Sequence, residues 1–442
     1  MKNIDMTKGK LLPELTAFTL PLILGNFFQL MYNMVDTIVI GRFAGSHALA
    51  AVGTSDPIMT ILIWGVSGVC VGASVLMSNF FGARDYDRLK AELGTTIVMG
   101  LLAALLALLA GMISCDPLLR LLNVPEDVFT DAGIYLRIIY LGMPFTCLYN
   151  IYAAALRSIG DSKTPLKYLM ISSLLNMGLD IIFVAVFHMG VAGAGLATIL
   201  AEGLSAVLCI IYVNKQIPLL QVNISDLLKP DRSLARKTIS YGGITALQQC
   251  AQPIGNLMIQ GTINTLGFAS IAALHAVHKI EDIGLVPGRT ISTSITTCTA
   301  QNQGAGNYDR MERGFKVGMG MELFTGIILF PILLLLKRPL MLLFTTDEAI
   351  IVEGLSYYAI MAGAYWLSSF TNGTQGYFRG IGAMTTTLFG TLTQITIRVI
   401  VTFILVPRIG IQGIGYACMA GWSAMLIWQT PYRIYRRNRL QK

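Results

Sequence analysis

Apolar runs long enough to cross roughly 30 Å of hydrocarbon as a helix, about 20 residues each, recur along the chain. They can be placed near 15–40, 53–80, 93–114, 132–155, 166–188, 191–213, 239–264, 270–300, 315–336, 353–378, 386–406 and 411–430. The pattern predicts an all-α integral membrane protein of about twelve transmembrane helices, six in each half of the chain. The start, Met1-Lys2-Asn3-Ile4-Asp5, is polar, and the first apolar run is full length without a small-residue cleavage site. That first run is therefore expected to stay as a span rather than be removed as a signal peptide.

The polar segments between the runs say the same thing twice. Gly82-Ala83-Arg84-Asp85-Tyr86-Asp87-Arg88 returns as Gly304-Ala305-Gly306-Asn307-Tyr308-Asp309-Arg310, and Arg157-Ser158-Ile159-Gly160 returns as Arg379-Gly380-Ile381-Gly382. Both pairs are displaced by 222 positions (82 to 304, 157 to 379). A third pair, Gly190–Gly195 and Gly410–Gly415, is displaced by 220. The chain thus reads as two pseudo-symmetric lobes, 1–213 and 239–442, joined by a linker at 214–238. A duplicated membrane protein is usually a machine that moves one half against the other, with its site between them.

Composition agrees. Hydrophobic residues make up 54% and charged residues only 13% of the 442, and the mean hydropathy is +0.64, outside the soluble range. The 32 basic residues against 24 acidic ones give a net charge of +8, and the placement of the basic ones explains it. Twenty-three of them, including Lys2, Arg84, Arg157, Lys229, Arg310, Arg379 and Lys442, fall at the termini and in one alternate set of loops. The opposite loops hold five: Arg42, Arg120, Lys337, Arg338 and Arg408. Cytoplasmic loops keep positive charge, so both termini and the linker are expected on the cytoplasmic side of the cell membrane. Topology and anionic lipid headgroups account for the charge, and no nucleic-acid partner is implied. Seven scattered cysteines suggest no disulfide framework or metal knuckle. His275 and His278 share a helix face beside Lys279, but a metal site would want further ligands.

Charges buried in a span cost about 2.5–3.5 kcal/mol or more, so each needs a reason. In the first span Asn26, Gln29, Asn33 and Asp36, spaced i, i+3, i+7 and i+10, share one helix face. Asp36 could exchange a proton there or hold Na⁺ through oxygen ligands. In the fifth span Asn176 and Asp180 sit at i,i+4 within an otherwise apolar run, and Thr198 in the sixth could add a hydroxyl oxygen. If the first and fifth spans meet, these four form a cation or proton site. The seventh span carries Gln248, Gln252, Asn256 and Gln260 every four residues, a neutral stripe suited either to lining a cavity or to bonding between helices. With Gln29 and Asn33, these amides are the candidate substrate-contacting residues. Prolines at 21, 57, 144, 253 and 287 mark bends, and Pro21 shares its helix with Asp36. No Walker motif, nucleophile elbow or zinc-pair motif is present, so an enzyme or direct ATP drive is not indicated. No organic or metal cofactor is expected beyond a coupling ion, H⁺ or Na⁺.

These residues resemble the multidrug and toxic compound extrusion (MATE) family. The resemblance covers nearly the whole chain, through Tyr32-Asn33-Met34-Val35-Asp36-Thr37, Ala48-Leu49-Ala50-Ala51-Val52-Gly53, the paired Gly-Ala-x-x-Tyr-Asp-Arg loops, Ala155–Asp161 and Ile259-Gln260-Gly261. It implies twelve helices in two six-helix lobes arranged as a V, with a central cavity, and export of organic, often cationic, compounds in exchange for H⁺ or Na⁺. Carried over by motif, Asp36, Asn176, Asp180 and Thr198 match the first-lobe cation site of the branch related to the DNA-damage-inducible transporters. Pro21 matches a proline at which the first helix is proposed to bend. Another branch uses acids in the seventh and tenth helices, where Gln252 and Ser368 stand here. The function expected is a secondary multidrug antiporter, monomeric, surrounded by lipid and working on small organic molecules. The alternative is a lipid-linked oligosaccharide flippase of the same superfamily, for which Arg137, Lys279, Arg289 and Arg398 would supply intramembrane cations.

Overall fold

The computed structural model describes residues 4–223, 227 and 231–440; Lys2, Lys229 and Lys442 of the charge count lie outside them. Twelve long helices fill the described residues, with no strand among them. They are α1 (Leu11–Val39), α2 (Gly45–Gly82), α3 (Tyr86–Leu121), α4 (Glu126–Ser158), α5 (Lys163–Asp180), α6 (Gly190–Gln216), α7 (Arg232–Asn264), α8 (Phe268–Gly304), α9 (Tyr308–Leu342), α10 (Glu348–Gly380), α11 (Met384–Ile409) and α12 (Gln412–Leu440). Two of them change pitch at one end: Ile40–Ala44 after α1 and Ile181–Val186 after α5 are π-helical.

By length and composition, eight stretches are apolar enough to cross a membrane, the first running through both α1 and α2. The helices outside that set, α7, α8 and α12, have the length but not the composition. α7 carries the amide stripe, α8 carries Lys279, Glu281, Asp282 and Arg289, and α12 ends in Arg433, Arg436, Arg437 and Arg439.

The repeated segments of sequence are repeated pieces of backbone. In the first pair, Asp85 caps α3 by accepting from the Arg88 N–H at 3.1 Å, and Asn307 caps α9 by accepting from the Arg310 N–H at 3.1 Å. The residue before each cap is left-handed: Arg84 at φ 60° and Gly306 at φ 67°. In the second pair, α4 and α10 end on left-handed glycines, Gly160 (φ 87°) and Gly382 (φ 73°). The Asp161 N–H then reaches the Leu156 carbonyl at 2.9 Å, and the Ala383 N–H the Phe378 carbonyl at 2.9 Å. That closure satisfies carbonyls the helix end would orphan.

Packing sorts the chain into two compact units, with borders inside α1 and α7 and one before α1. One unit is Met1–Asp5 with Leu20–Ala246; the other is Met6–Thr19 with Leu247–Lys442. The start of α7 thus belongs with the first six helices, and the start of α1 with the last five, a division finer than a break in the linker. Small residues make this possible. A Cβ built on Gly68 would stand 2.4 Å from the Ala246 Cα, and one on Gly72 2.5 Å from the Gly242 nitrogen, so α2 and the start of α7 touch backbone to backbone. In the second unit the start of α1 meets α8, where the Thr19 hydroxyl donates to Ser294 Oγ at 2.7 Å. Arg310 grips the preceding segment, donating to the Met6 carbonyl at 2.8 Å, the Gly9 carbonyl at 2.9 Å and Glu14 at 3.0 Å. Because the atoms facing Gly72 are backbone, they cannot rotate away. Gly72→Ala is expected to cost about 1–3 kcal/mol, read as a lower midpoint of thermal unfolding in detergent; an unchanged midpoint would mean the two helices slide apart freely.

Apolar cores anchor both ends of the first unit. Val39, Ile40, Ala48, Leu119, Tyr135, Leu136, Val184 and Val191 form one cluster, next to the π-helical turns. Met77, Phe81, Leu93, Ile151, Leu156, Cys209 and Leu220 form another. The largest cluster of the second unit joins α7, α8, α10 and α11 through Ile259, Val277, Ile280, Tyr357, Met361, Ile395 and Val399.

Candidate functional site

The first unit brings α1, α5 and α6 together around two carboxyl groups. Asp180 is fully buried and Asn176, one turn earlier on α5, is 1% exposed. The Asp36 and Asp180 carboxyls lie next to each other, close enough for each to act on the other. With its nitrogen turned toward Asp180, the Asn176 amide donates to Asp180 Oδ2 at 3.1 Å, and its oxygen accepts from the Thr198 N–H at 3.2 Å. The Thr198 hydroxyl donates to the Ala194 carbonyl at 3.0 Å and lies beside the Tyr32 phenol. Tyr32 lies one turn before Asp36, so a single edge of α1 delivers both to α5 and α6.

The chemistry follows from oxygen counting. Ionised carboxylates only accept hydrogen bonds, so two that face each other need a proton or a cation between them. Each also keeps one buried oxygen, Oδ1, without a hydrogen bond. Such an arrangement can hold a cation or a proton among oxygen ligands, with an amide, a tyrosine and a threonine beside it. Both acids stand just before π-helical turns: Ile181 succeeds Asp180 directly, and Ile40 comes four residues after Asp36. A π turn widens the helix by one residue and re-aims the side chains beside it.

Of the other sequence-predicted residues, Asn26, Gln29 and Asn33 are exposed on α1, beside the edge that carries Tyr32 and Asp36. Pro21 is buried, within a continuous α1 and two residues past the border between the units. The amide stripe of α7 is spent largely on α11. Gln248 donates to Thr391 Oγ1 at 2.9 Å, Gln252 to Gln394 Oε1 at 3.4 Å, and Asn256 accepts from Arg398 at 2.7 Å. Gln260 instead donates to Asn264 on its own helix at 2.8 Å. Bonding between helices thus accounts for three of the four amides. Among the intramembrane cations, Arg137 pairs with Asp116 at 2.7 Å and Arg289 lies 3.9 Å from Asp282. Among the described residues no group of three or more His, Cys, Asp or Glu side chains is placed to hold a metal ion. His278 instead faces Glu281 at 3.9 Å.

Further acids lie inside helices that the sequence pattern did not single out, among them Asp56, Glu202, Glu281 and Glu322. Each carries the signal that singled out Asp36, a carboxyl within an apolar run. Glu202 sits one turn past Thr198 on α6 and accepts a hydrogen bond from the Thr146 hydroxyl. Glu281 accepts from the Tyr365 hydroxyl at 3.1 Å.

Comparison with known proteins places this architecture. A family model described as MatE matches residues 21–182 and again 245–404, one match for each half of the duplication. The probable multidrug resistance protein YoeA of Bacillus subtilis is 26% identical, covering 97% of this chain and 95% of that protein. The multidrug export protein MepA of Staphylococcus aureus is 24% identical, covering 95% and 94%. A solved outward-facing structure of a multidrug resistance MATE family transporter of the MOP superfamily superposes with a TM-score of 0.93 at 22% identity, covering 100% of this chain and 99% of that one. Twelve duplicated helices, with a family match in each half, establish that the chain belongs to the MatE family of membrane transporters.

Proposed function

We propose that the protein is a secondary active multidrug antiporter of the cell membrane, exporting organic, largely cationic or amphipathic compounds in exchange for H⁺ or Na⁺. The observation that carries the coupling is the facing carboxyl pair, Asp36 and Asp180, with Asn176 and Thr198 around it. Asp36 takes up the incoming cation, and Asp180, Asn176 and Thr198 complete its shell. Loading changes the charge of α1 a few turns from Pro21, where the helix lacks one internal hydrogen bond and bends most cheaply. Export of drugs is supported by the relatives, one named a probable multidrug resistance protein and one a multidrug export protein. Reciprocity requires that cation and substrate each weaken the binding of the other. The amides Gln29 and Asn33, and Gln260 beyond the α11 contacts, are the groups left to meet a substrate. The protein works as a monomer with both termini in the cytoplasm. The flippase reading loses ground because Arg137, Arg289 and Arg398 spend donors on Asp116, Asp282 and Asn256.

The test is ethidium efflux from proteoliposomes under an imposed gradient. Transport is expected under either a pH gradient or a Na⁺ gradient and absent without one. Movement that ignores both gradients would overturn the antiport reading, and the gradient that works names the ion.

A further inference from the structure

Glu322, on α9 in the second unit, is 1% exposed. The Ser369 hydroxyl of α10 lies beside its carboxyl, yet neither carboxyl oxygen has a hydrogen bond of good geometry. Among the described residues Glu322 forms no ion pair within 4.0 Å. The facing residue on α8 is Gly288, and a Cβ placed there would stand 3.1 Å from Glu322 Oε2, 3.8 Å from Asn372 Nδ2 and 3.9 Å from Ser369 Oγ. Three polar groups from α9 and α10 therefore converge on one point that only a glycine leaves open. The point borders a small cavity of about 20 Å³, room for one water-sized species, lined by Gly284, Gly288, Thr325, Tyr365, Ser369 and Asn372, among others.

The duplication sets this cluster apart from its counterpart in the first half. Displaced by 222 positions, Glu322, Ser369, Asn372 and Gly288 correspond to Gly100, Cys147, Asn150 and Val66. In the first half the same contact exists, with the Gly100 Cβ position 3.0 Å from Cys147 Sγ. The second half replaces glycine by glutamate, thiol by hydroxyl and valine by glycine. An acid, an extra oxygen ligand and the room for a ligand arrive together.

We propose that Glu322, Ser369 and Asn372, around the opening at Gly288, form a Na⁺ site within the second unit. A buried carboxylate without a countercharge is costly, and an alkali cation with oxygen ligands removes that cost. The hydroxyl of Ser369 and the side-chain oxygen of Asn372, once its amide is turned, supply two further hard ligands. A proton alone would need one acceptor, not three groups arranged around an open point. This site is distinct from the Asp36–Asp180 pair and stands whether or not that pair couples transport.

Binding of ²²Na⁺ to the purified, detergent-solubilised protein tests it, using the Asp36→Asn/Asp180→Asn variant to remove the first-unit pair. That variant is expected to retain Na⁺ binding. Adding Glu322→Gln is expected to weaken the retained binding about tenfold or more. Adding Gly288→Ala instead keeps the acid but fills the opening, and should weaken binding as well; it also serves if Glu322→Gln fails to fold. Elution as a single folded species is the control. Absence of Na⁺ binding in the folded Asp36→Asn/Asp180→Asn protein, or isotherms that Glu322→Gln and Gly288→Ala leave unchanged, would overturn the assignment and leave Glu322 as a buried neutral acid.

Discussion

Proteoliposomes carrying Asp36→Asn are expected to show gradient-driven ethidium efflux no higher than protein-free liposomes, while the protein elutes and unfolds like the unmodified one. The substitution is nearly isosteric, so the packing of α1 against α5 and α6 should survive. What changes is the ligand set: one member of the carboxyl pair loses its charge and its capacity to release a proton. Asp180 then hydrogen-bonds to a permanent donor, the side-chain amide, and the cycle of loading and release has nothing to drive it. Asp180→Asn should have the same outcome, because the site needs two acids facing each other. Asn176→Ala should be milder, since the amide holds Asp180 without carrying the charge. Residual efflux in Asp36→Asn that still follows the gradient would move coupling to another acid, and Glu202, one turn from Thr198, would be the first to examine.

Much of the architecture was legible in the sequence. Apolar runs predicted the number and order of the helices, and the displaced loops revealed the duplication, whose matching caps at Asp85 and Asn307 emerged only in the structure. What escaped was whatever depends on how helices meet. The borders between packed units fall inside α1 and α7 because Gly68 and Gly72 admit the α7 backbone, a fact no single-helix pattern contains. The π-helical turns beside Asp36 and Asp180 have no spacing signature of their own. The i,i+4 logic placed Asn176 with Asp180 and would have placed Tyr32 with Asp36, yet Tyr32 reads from sequence as a generic aromatic. The amide stripe was visible, but its partners Thr391, Gln394 and Arg398 lie on another helix. Comparing the halves position by position, rather than only at their loops, would have drawn attention to Glu322, which stands where the first half has Gly100.

The largest stability effect is expected at the end of α12. Arg433 places Nη1 2.8 Å and 3.0 Å from the two Glu312 carboxyl oxygens. Its guanidinium also lies over the Phe315 ring, 4.2 Å from the centroid. The side chains are only 13% and 8% exposed, so water screens the pair little. Arg433→Ala leaves Glu312 buried with a single distant partner, Arg437 at 3.8 Å, and opens a gap over Phe315. Breaking a buried pair from one side costs about 3–5 kcal/mol, which for a unit of this size lowers the thermal midpoint by roughly 6–20 °C. Replacing both partners by apolar residues of similar volume, Arg433→Met with Glu312→Leu, should recover most of that loss, because no charge is then left stranded. A double variant as unstable as Arg433→Ala alone would locate the stabilisation in the stacking of Arg433 on Phe315 rather than in the ion pair.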